Sequence, residues 1–396
     1  MRDTLHIMSL REAGPAATSR IMLFLLAIHA PALMYGGNRF GLIAPSAVIL
    51  LVLLWQTRKR NHPLFFASWL WIGVMVWGGG QIALGLTPDH GEAARILVRF
   101  ALYAAIYLIA ADIARRPLKG NALIKATAVW ISLICIYGLV AWSTGVNPVL
   151  AELEAYPDPL EATFINRNAF ALYAVFGLLA SLAAGVGSRQ GFIGFANGGW
   201  AWAAAAAICA TTLVLTGSRG GLGAGLAGVA VFAFITRRRR LAAIFVVGAL
   251  FCAGLLGETF FRETSLLTDP RFTIHAQVFA ETAKAPLTGH GLGAFQDTFR
   301  ASVGAEWRWG DWDHAHQQYL ETAYEIGWPA AIALFAAIIL AAPDPMRKDP
   351  HSALALAALT AAAAHALVDF SLTIPSVAMT LALLLGLASN RQGRAR

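Results

Sequence analysis

Charge is what this sequence has least of. Asp, Glu, Lys and Arg make up 13% of its 396 residues, about half the ~25% usual in soluble domains, and that shortage excludes a soluble enzyme. Cysteine is scarce too. Cys135, Cys209 and Cys252 each sit inside an apolar run, so neither a disulfide framework nor a CxxC metal site is written in the chain. There is no internal repeat, and no low-complexity segment beyond Ala-rich stretches such as 201–207. The net charge of +8 calls for no nucleic-acid partner, because Lys and Arg in so apolar a chain mark cytoplasmic loops.

Hydrophobic length is what the sequence has instead. Apolar residues make up 58% of it, about 230 in all, and at ~20 per crossing they supply ten to twelve spanning helices with little left for a separate domain. Twelve runs stand out: 21–35, 40–56, 64–86, 94–113, 122–143, 164–186, 197–216, 221–236, 241–257, 318–342, 352–371 and 374–389. The first follows Arg2, Arg11 and Arg20 and contains Ala30-Pro31-Ala32, a loose likeness to a signal peptide and its cleavage site. The long leader, Pro31 and the second run close behind favour a retained helix. The expected fold is all-α, a single polytopic membrane domain over residues 1–396 with about 12 transmembrane helices.

Basic clusters fall in every second gap: residues 58–60, Arg115 with Arg116 and Lys119, Arg189, residues 237–240, Arg347 with Lys348, and the tail with Arg391, Arg394 and Arg396. Loops rich in Lys and Arg stay in the cytoplasm, so both termini are expected there. Acidic residues show the reverse bias, with Glu152, Glu154, Asp158 and Glu161 together in the fifth gap. One gap stands apart: residues 258–317, between the ninth and tenth runs, form a long extracytoplasmic loop, and loops of that length are usually functional. It carries Arg271, four histidines (His275, His290, His314, His316), and Trp307, Trp309 and Trp312. The tryptophans either anchor the loop at the headgroups or offer stacking platforms for sugar rings.

A transporter keeps ionisable groups near the bilayer midplane, and here the midplanes are nearly clean. The unusual polar residues gather at outer helix ends: Arg95 and Arg99, Asn166-Arg167-Asn168, Thr216-Gly217-Ser218-Arg219-Gly220-Gly221, and the long loop. At Thr216 to Gly221, glycines clear space at a helix N-terminus and Arg219 adds a fork of donors, an arrangement suited to phosphate; an arginine snorkelling from a Gly-rich turn is the other reading. In Asp311-Trp312-Asp313-His314-Ala315-His316-Gln317, carboxylates and imidazoles invite a metal, but on a helix His314 and His316 point to opposite faces. A histidine there suits proton abstraction from a hydroxyl, with Asp313 to orient it; two solvated loop histidines remain the plain alternative. Gly289-His290-Gly291-Leu292-Gly293 reads as a tight turn. His365 and Asp369, four apart at the end of the eleventh run, read as a structural pair.

In order and spacing, Asn166-Arg167-Asn168, Gly217-Ser218-Arg219-Gly220-Gly221, Arg271 with Pro286 to Gly291, His316-Gln317-Gln318-Tyr319-Leu320-Glu321 with Gly327, and His365 to Asp369 with Pro375 resemble the O-antigen ligase and Wzy polymerase family of bacterial envelope glycosyltransferases. The likeness spans 164–385, and the N-terminal half matches only in hydropathy. It implies an inner-membrane enzyme of lipopolysaccharide and polysaccharide biosynthesis, acting on the periplasmic side. Such an enzyme takes a glycan from an undecaprenyl-diphosphate carrier and joins it to an acceptor hydroxyl, either lipid A core (ligase) or another glycan chain (polymerase), with no cofactor, metal or nucleotide sugar. By the same resemblance Arg219 and Arg271 hold the diphosphate and His316 activates the acceptor, while Asn166, Asn168, Gly220, Gly289, Gly291 and His314 line the substrate site and 258–317 forms the catalytic loop. Departures are Gln317 where Asn is frequent, Arg167 where Pro is common and Ala366 in place of Ser. Because a diphosphate already leaves well, cations and one base suffice; with no carboxylate standing out as nucleophile, a single inverting displacement is expected. From a different class, a solute transporter is the competing reading.

Overall fold

A computed structural model describes residues 15–37, 40–57, 66–150, 160–186, 199–238, 270–302 and 312–389, with positions 240, 243 and 248. Over these residues the chain is all-helical, without strand. The helices are α1 (Pro15–His29), α2 (Phe40–Thr57), α3 (Phe66–Ala83), α4 (His90–Ala114), α5 (Pro117–Thr144), α6 (Arg167–Val186), α7 (Gly199–Leu215), α8 (Arg219–Ile235), α9 (Pro270–Thr282), α10 (Phe295–Ser302), α11 (Gln318–Leu340), α12 (Pro350–His365) and α13 (Pro375–Ser389).

Eleven of the twelve apolar runs contain one of these helices. Apart from positions 243 and 248 the ninth, 241–257, lies outside the described residues, as do Cys252, Asp269, Trp307, Trp309, Asp311, the basic residues 58–60, Arg189 and the tail. Four described helices, α4, α5, α6 and α11, are long and apolar enough to cross a membrane, and α1, α2, α7, α8 and α13 are apolar but shorter. These apolar helices make the chain a multi-pass membrane protein.

At the centre runs α6, buried along almost its whole length and packed against α5, α7, α8, α12 and α13. Lipid offers no hydrophobic gain for helix association, so close approach of backbones through small residues does the work. On α8, a Cβ at Gly228 would lie 3.1 Å from the Ala357 carbonyl oxygen and 3.2 Å from the Ala361 methyl of α12. The Ala-rich faces of α12 fit this packing, with Ala353, Ala357 and Ala361 fully buried.

Two features depart from the runs. First, α11 is broken at Gly327 (φ 78°, ψ 157°) just before Pro329. Proline has no N–H for the Glu325 carbonyl, which accepts from Gln81 Nε2 at 2.9 Å and Gly291 N at 2.9 Å. Its neighbours are satisfied similarly: Ile326 O accepts from Trp77 Nε1 at 2.9 Å and Tyr324 O from His290 N at 2.8 Å. A break at this depth persists because neighbouring elements satisfy the freed carbonyls. Second, the loop 258–317 holds two helices, α9 and α10, rather than open chain. Ile274 and Val278 of α9, Phe295 and Phe299 of α10, Ala315 and Tyr324 form one buried cluster with Trp312 and Leu320 against it. Trp312 therefore packs under the loop.

Candidate active site

Three chain segments meet at the starts of α6 and α8 and the end of α12. Asn166 caps α6, its Oδ1 accepting from Asn168 N (2.7 Å) and Ala169 N (3.2 Å). Ser218 caps α8, its Oγ accepting from Gly221 N at 3.0 Å and donating to Asn168 Oδ1 at 2.8 Å. Asn168 Nδ2 donates to Asp369 Oδ2 at 2.7 Å, and Ser371 Oγ donates to Asp369 Oδ1 at 2.5 Å. Asn168, Ser218, Asp369 and Ser371 are all buried, and each satisfies the others, as buried polar groups must. The network fixes α8's N-terminus, where Arg219 is the first helical residue.

His365 and Asp369 do not form the helical i,i+4 pair expected from spacing. The helix stops at His365, where Ala366 O accepts from Gln318 N of α11 at 2.9 Å, and Asp369 turns away to Asn168 and Ser371. The His365 ring is buried with neither nitrogen hydrogen-bonded. It lies beside Gly220: a Cβ there would stand 3.6 Å from His365 Nε2.

Residues 312–317 run into α11 as an irregular segment, with Gln317 as the N-cap through its own side chain. Asp313 is thus exposed and no helix aligns it with His316. Glu321 holds the segment: its Oε1 accepts from His314 Nδ1 at 2.7 Å and its Oε2 from Ala315 N at 2.8 Å. From α9, His275 Nε2 donates to His316 O at 3.2 Å. Between these anchors His316 sits at φ 51°, a left-handed conformation that costs a non-glycine residue about 1–2 kcal/mol and persists where surroundings over-determine it.

The two imidazoles both contact the Phe370 ring but differ chemically. Phe370 stacks on His314 (centroids 3.8 Å apart) and meets His316 edge-on at 5.1 Å. His314, despite burial that opposes its charge, is pushed up to about 9 by Glu321, with Asp313 and Glu325 adding to the effect. His316 is held below the usual histidine range, by burial and then by the Arg271 guanidinium, against the opposing pull of Asp369 and Asp313. Its Nδ1 is buried without a hydrogen-bond partner. The surroundings favour the charged form of His314 and the neutral form of His316. Asp369 and then Arg271 of α9 also act electrostatically on His365, which lies against Gly220, the residue after Arg219.

Gly289 and Gly291 have a different task. With φ of 68° and 113°, they press backbone against backbone: a Cβ on Gly289 would overlap the Glu325 carbonyl oxygen, and one on Gly291 would overlap that of Leu86. The Gly-rich turn is the plug that satisfies the break in α11. Among the described residues no three His, Cys, Asp or Glu side chains are grouped as metal ligands.

Residues 204–335, about a third of the chain, match the O-antigen ligase family model. That segment is similar to the O-antigen ligase family. That match supports assignment to the O-antigen ligase and Wzy family. No curated protein matches the chain. Arg219, Arg271, His314 and His316 all lie inside the O-antigen ligase segment, whereas Asn168, His365 and Asp369 lie outside it and reach it through Ser218, Gln318 and Gly220. Sequence reasoning missed Glu321 as the group that charges His314, and Phe370 and His275 as the contacts that hold the segment. Glu321 had a signal, a carboxylate one turn into the helix after His314, but a contact across an irregular segment has no fixed spacing.

Proposed function

We propose that this protein transfers a glycan from an undecaprenyl-diphosphate carrier to an acceptor hydroxyl on the periplasmic face, as an O-antigen ligase. His316 acts as the base and Arg219 and Arg271 hold the diphosphate. The observation that carries this reading is His316 itself: a neutral imidazole with an unpartnered ring nitrogen, on a strained backbone, next to a guanidinium and inside the O-antigen ligase segment. A base must be unprotonated at working pH and have a free lone pair. The charge that Arg271 contributes serves both needs, keeping the proton off His316 and offering a bidentate fork to phosphate oxygens.

In the proposed step the acceptor oxygen attacks the anomeric carbon, its proton passes to His316, and the glycosyl–phosphate bond breaks to release undecaprenyl diphosphate. Cations positioned where charge develops stabilise the departing diphosphate. General-base assistance contributes about 10² to 10⁴ in rate. His316→Ala should therefore lose transfer from a purified lipid-linked donor by at least ~100-fold while membrane insertion is unchanged, and transfer at the wild-type rate would remove this histidine from the mechanism.

A further inference from the structure

At the far ends of the helices from His316, a cavity of about 140 Å³ opens between α1, α2, α4 and α5. Ile21, Leu53, Ile109 and Ile113 form its apolar wall, and Arg20, Arg116 and Lys119 face it with the single carboxylate Asp112. Asp112 is itself approached by Arg115 Nε at 3.8 Å, so among the described residues that line the cavity cations outnumber carboxylates. From this point α5 runs for 28 residues, ~42 Å at 1.5 Å per residue, before the chain returns to Asn166 and the candidate active site. The alternation of basic loops puts the cavity on the cytoplasmic side.

Around the opening the surface is built for lipid. Met22 and Leu23 of α1, Val52 and Trp55 of α2 and Leu118 of α5 are all exposed large apolar side chains. The cavity is small beside the ~300–1,000 Å³ of ordinary ligand pockets, so it admits a compact anionic group while anything apolar attached to that group lies outside, along α1 and α2.

We propose that this cavity binds the phosphate headgroup of an anionic phospholipid of the cytoplasmic leaflet, with Arg20, Arg116 and Lys119 on the phosphate and the acyl chains against α1 and α2. Basic pockets between membrane helices on the cytoplasmic side suit such headgroups, and each cation near the surface contributes about fivefold in affinity. The site is separate from glycan transfer, and its test does not depend on that activity.

The test uses the full chain purified in detergent and titrated with short-chain phosphatidylglycerol, phosphatidylcholine or inorganic phosphate, with the apparent unfolding temperature and bound lipid by native mass spectrometry as readouts. Phosphatidylglycerol should raise the unfolding temperature and be retained, while phosphatidylcholine and inorganic phosphate should not. In the triple variant Arg20→Gln, Arg116→Gln, Lys119→Gln the phosphatidylglycerol midpoint should weaken by about 100-fold. If that variant does not yield folded protein, the three single variants serve, each weakening the midpoint by about fivefold. Equal responses to the two lipids, a midpoint unchanged in the variants, or an equal shift with inorganic phosphate would each overturn the proposal, the last by showing a soluble-anion site.

Discussion

Replacing Glu321 by Gln tests whether a charge pair locks the segment that carries His316. The two oxygens of Glu321 hold His314 Nδ1 and Ala315 N, and the carboxylate is 5% exposed against 27% for the His314 side chain. His314 titrates near 9 in the folded protein against 6.5 for a free histidine. At 1.36 kcal/mol per pKa unit, that difference corresponds to at most about 3–4 kcal/mol of stability, and partial exposure with the share from Asp313 and Glu325 brings the part due to Glu321 to about 2 kcal/mol. Because the folded pKa is the higher one, this stability is complete below pH ~6.5 and is lost as the pH rises through ~9. The glutamine amide keeps one acceptor oxygen but not the charge.

The unfolding temperature of wild type should therefore exceed that of Glu321→Gln by several degrees at pH 6, with the gap closing as pH approaches 9.5. Scanning fluorimetry in detergent at fixed ionic strength measures both chains across the range. In the background of His314→Gln, the Glu321→Gln change should have little further effect at pH 6, because the two share one interaction. A gap that is constant with pH, or wider at pH 9.5 than at pH 6, refutes the reasoning.

Removing the Arg271 charge by Arg271→Gln should raise the His316 pKa and move the acid limb of the kcat/KM profile to higher pH, besides lowering its height; Asp369→Asn should move that limb to lower pH, and an unmoved limb in both would separate these charges from the base. Gly289→Ala should cost more than ~3 kcal/mol, since a left-handed alanine loses 1–2 kcal/mol and its Cβ would overlap the Glu325 carbonyl oxygen. Gly223→Ala, with open space at its Cβ, should be neutral or stabilising, and equal unfolding temperatures for the two would contradict the docking. Asn168→Ala leaves Asp369 and Ser218 short of partners and should lose about 2–4 kcal/mol; a loss below ~1 kcal/mol would mean the network is not what joins α6, α8 and the end of α12.

Elements with a continuous hydrophobic signal were legible in the sequence, and so was the start of α8, because a Ser followed by Arg-Gly-Gly after an apolar run is a local cap signal that needs no distant partner. The loop helices were not. Residues 270–282, Pro-Arg-Phe-Thr-Ile-His-Ala-Gln-Val-Phe-Ala-Glu-Thr, place only Ile274 and Val278 in the buried apolar cluster, two positions four apart, and their partners Tyr324 and Phe299 are supplied by other elements. The break in α11 was half visible: Gly327 and Pro329 announce an interruption, but that Gln81 and the turn at Gly289 fill it depends on contacts more than 200 residues and about 35 residues distant in sequence. The candidate site divides the same way. Its residues were visible as motifs; their protonation was not, since it is set by what each ring faces.

That last point bears on the two readings of the His-Ala-His segment. As a chelating pair, both imidazoles would need free lone pairs directed at one point. His314 instead holds its Nδ1 proton against Glu321 and titrates near 9, so at pH 7 freeing a lone pair there means removing a proton about two units below its pKa, nearly 3 kcal/mol, and breaking a buried charge-assisted bond as well. For His316 the balance is opposite: burial and Arg271 keep it neutral, the state a base needs. Pairs of titratable groups driven apart by their surroundings assign the roles of acid and base in an active site, and here each ring has its own charge partner, Glu321 for His314 and Arg271 for His316. A neighbouring cation also works against a metal ion at His316, whereas it favours a phosphate beside it. In the proposed mechanism the same guanidinium that favours a neutral His316 also meets the diphosphate, which would tie the base and the anion site to one residue, Arg271.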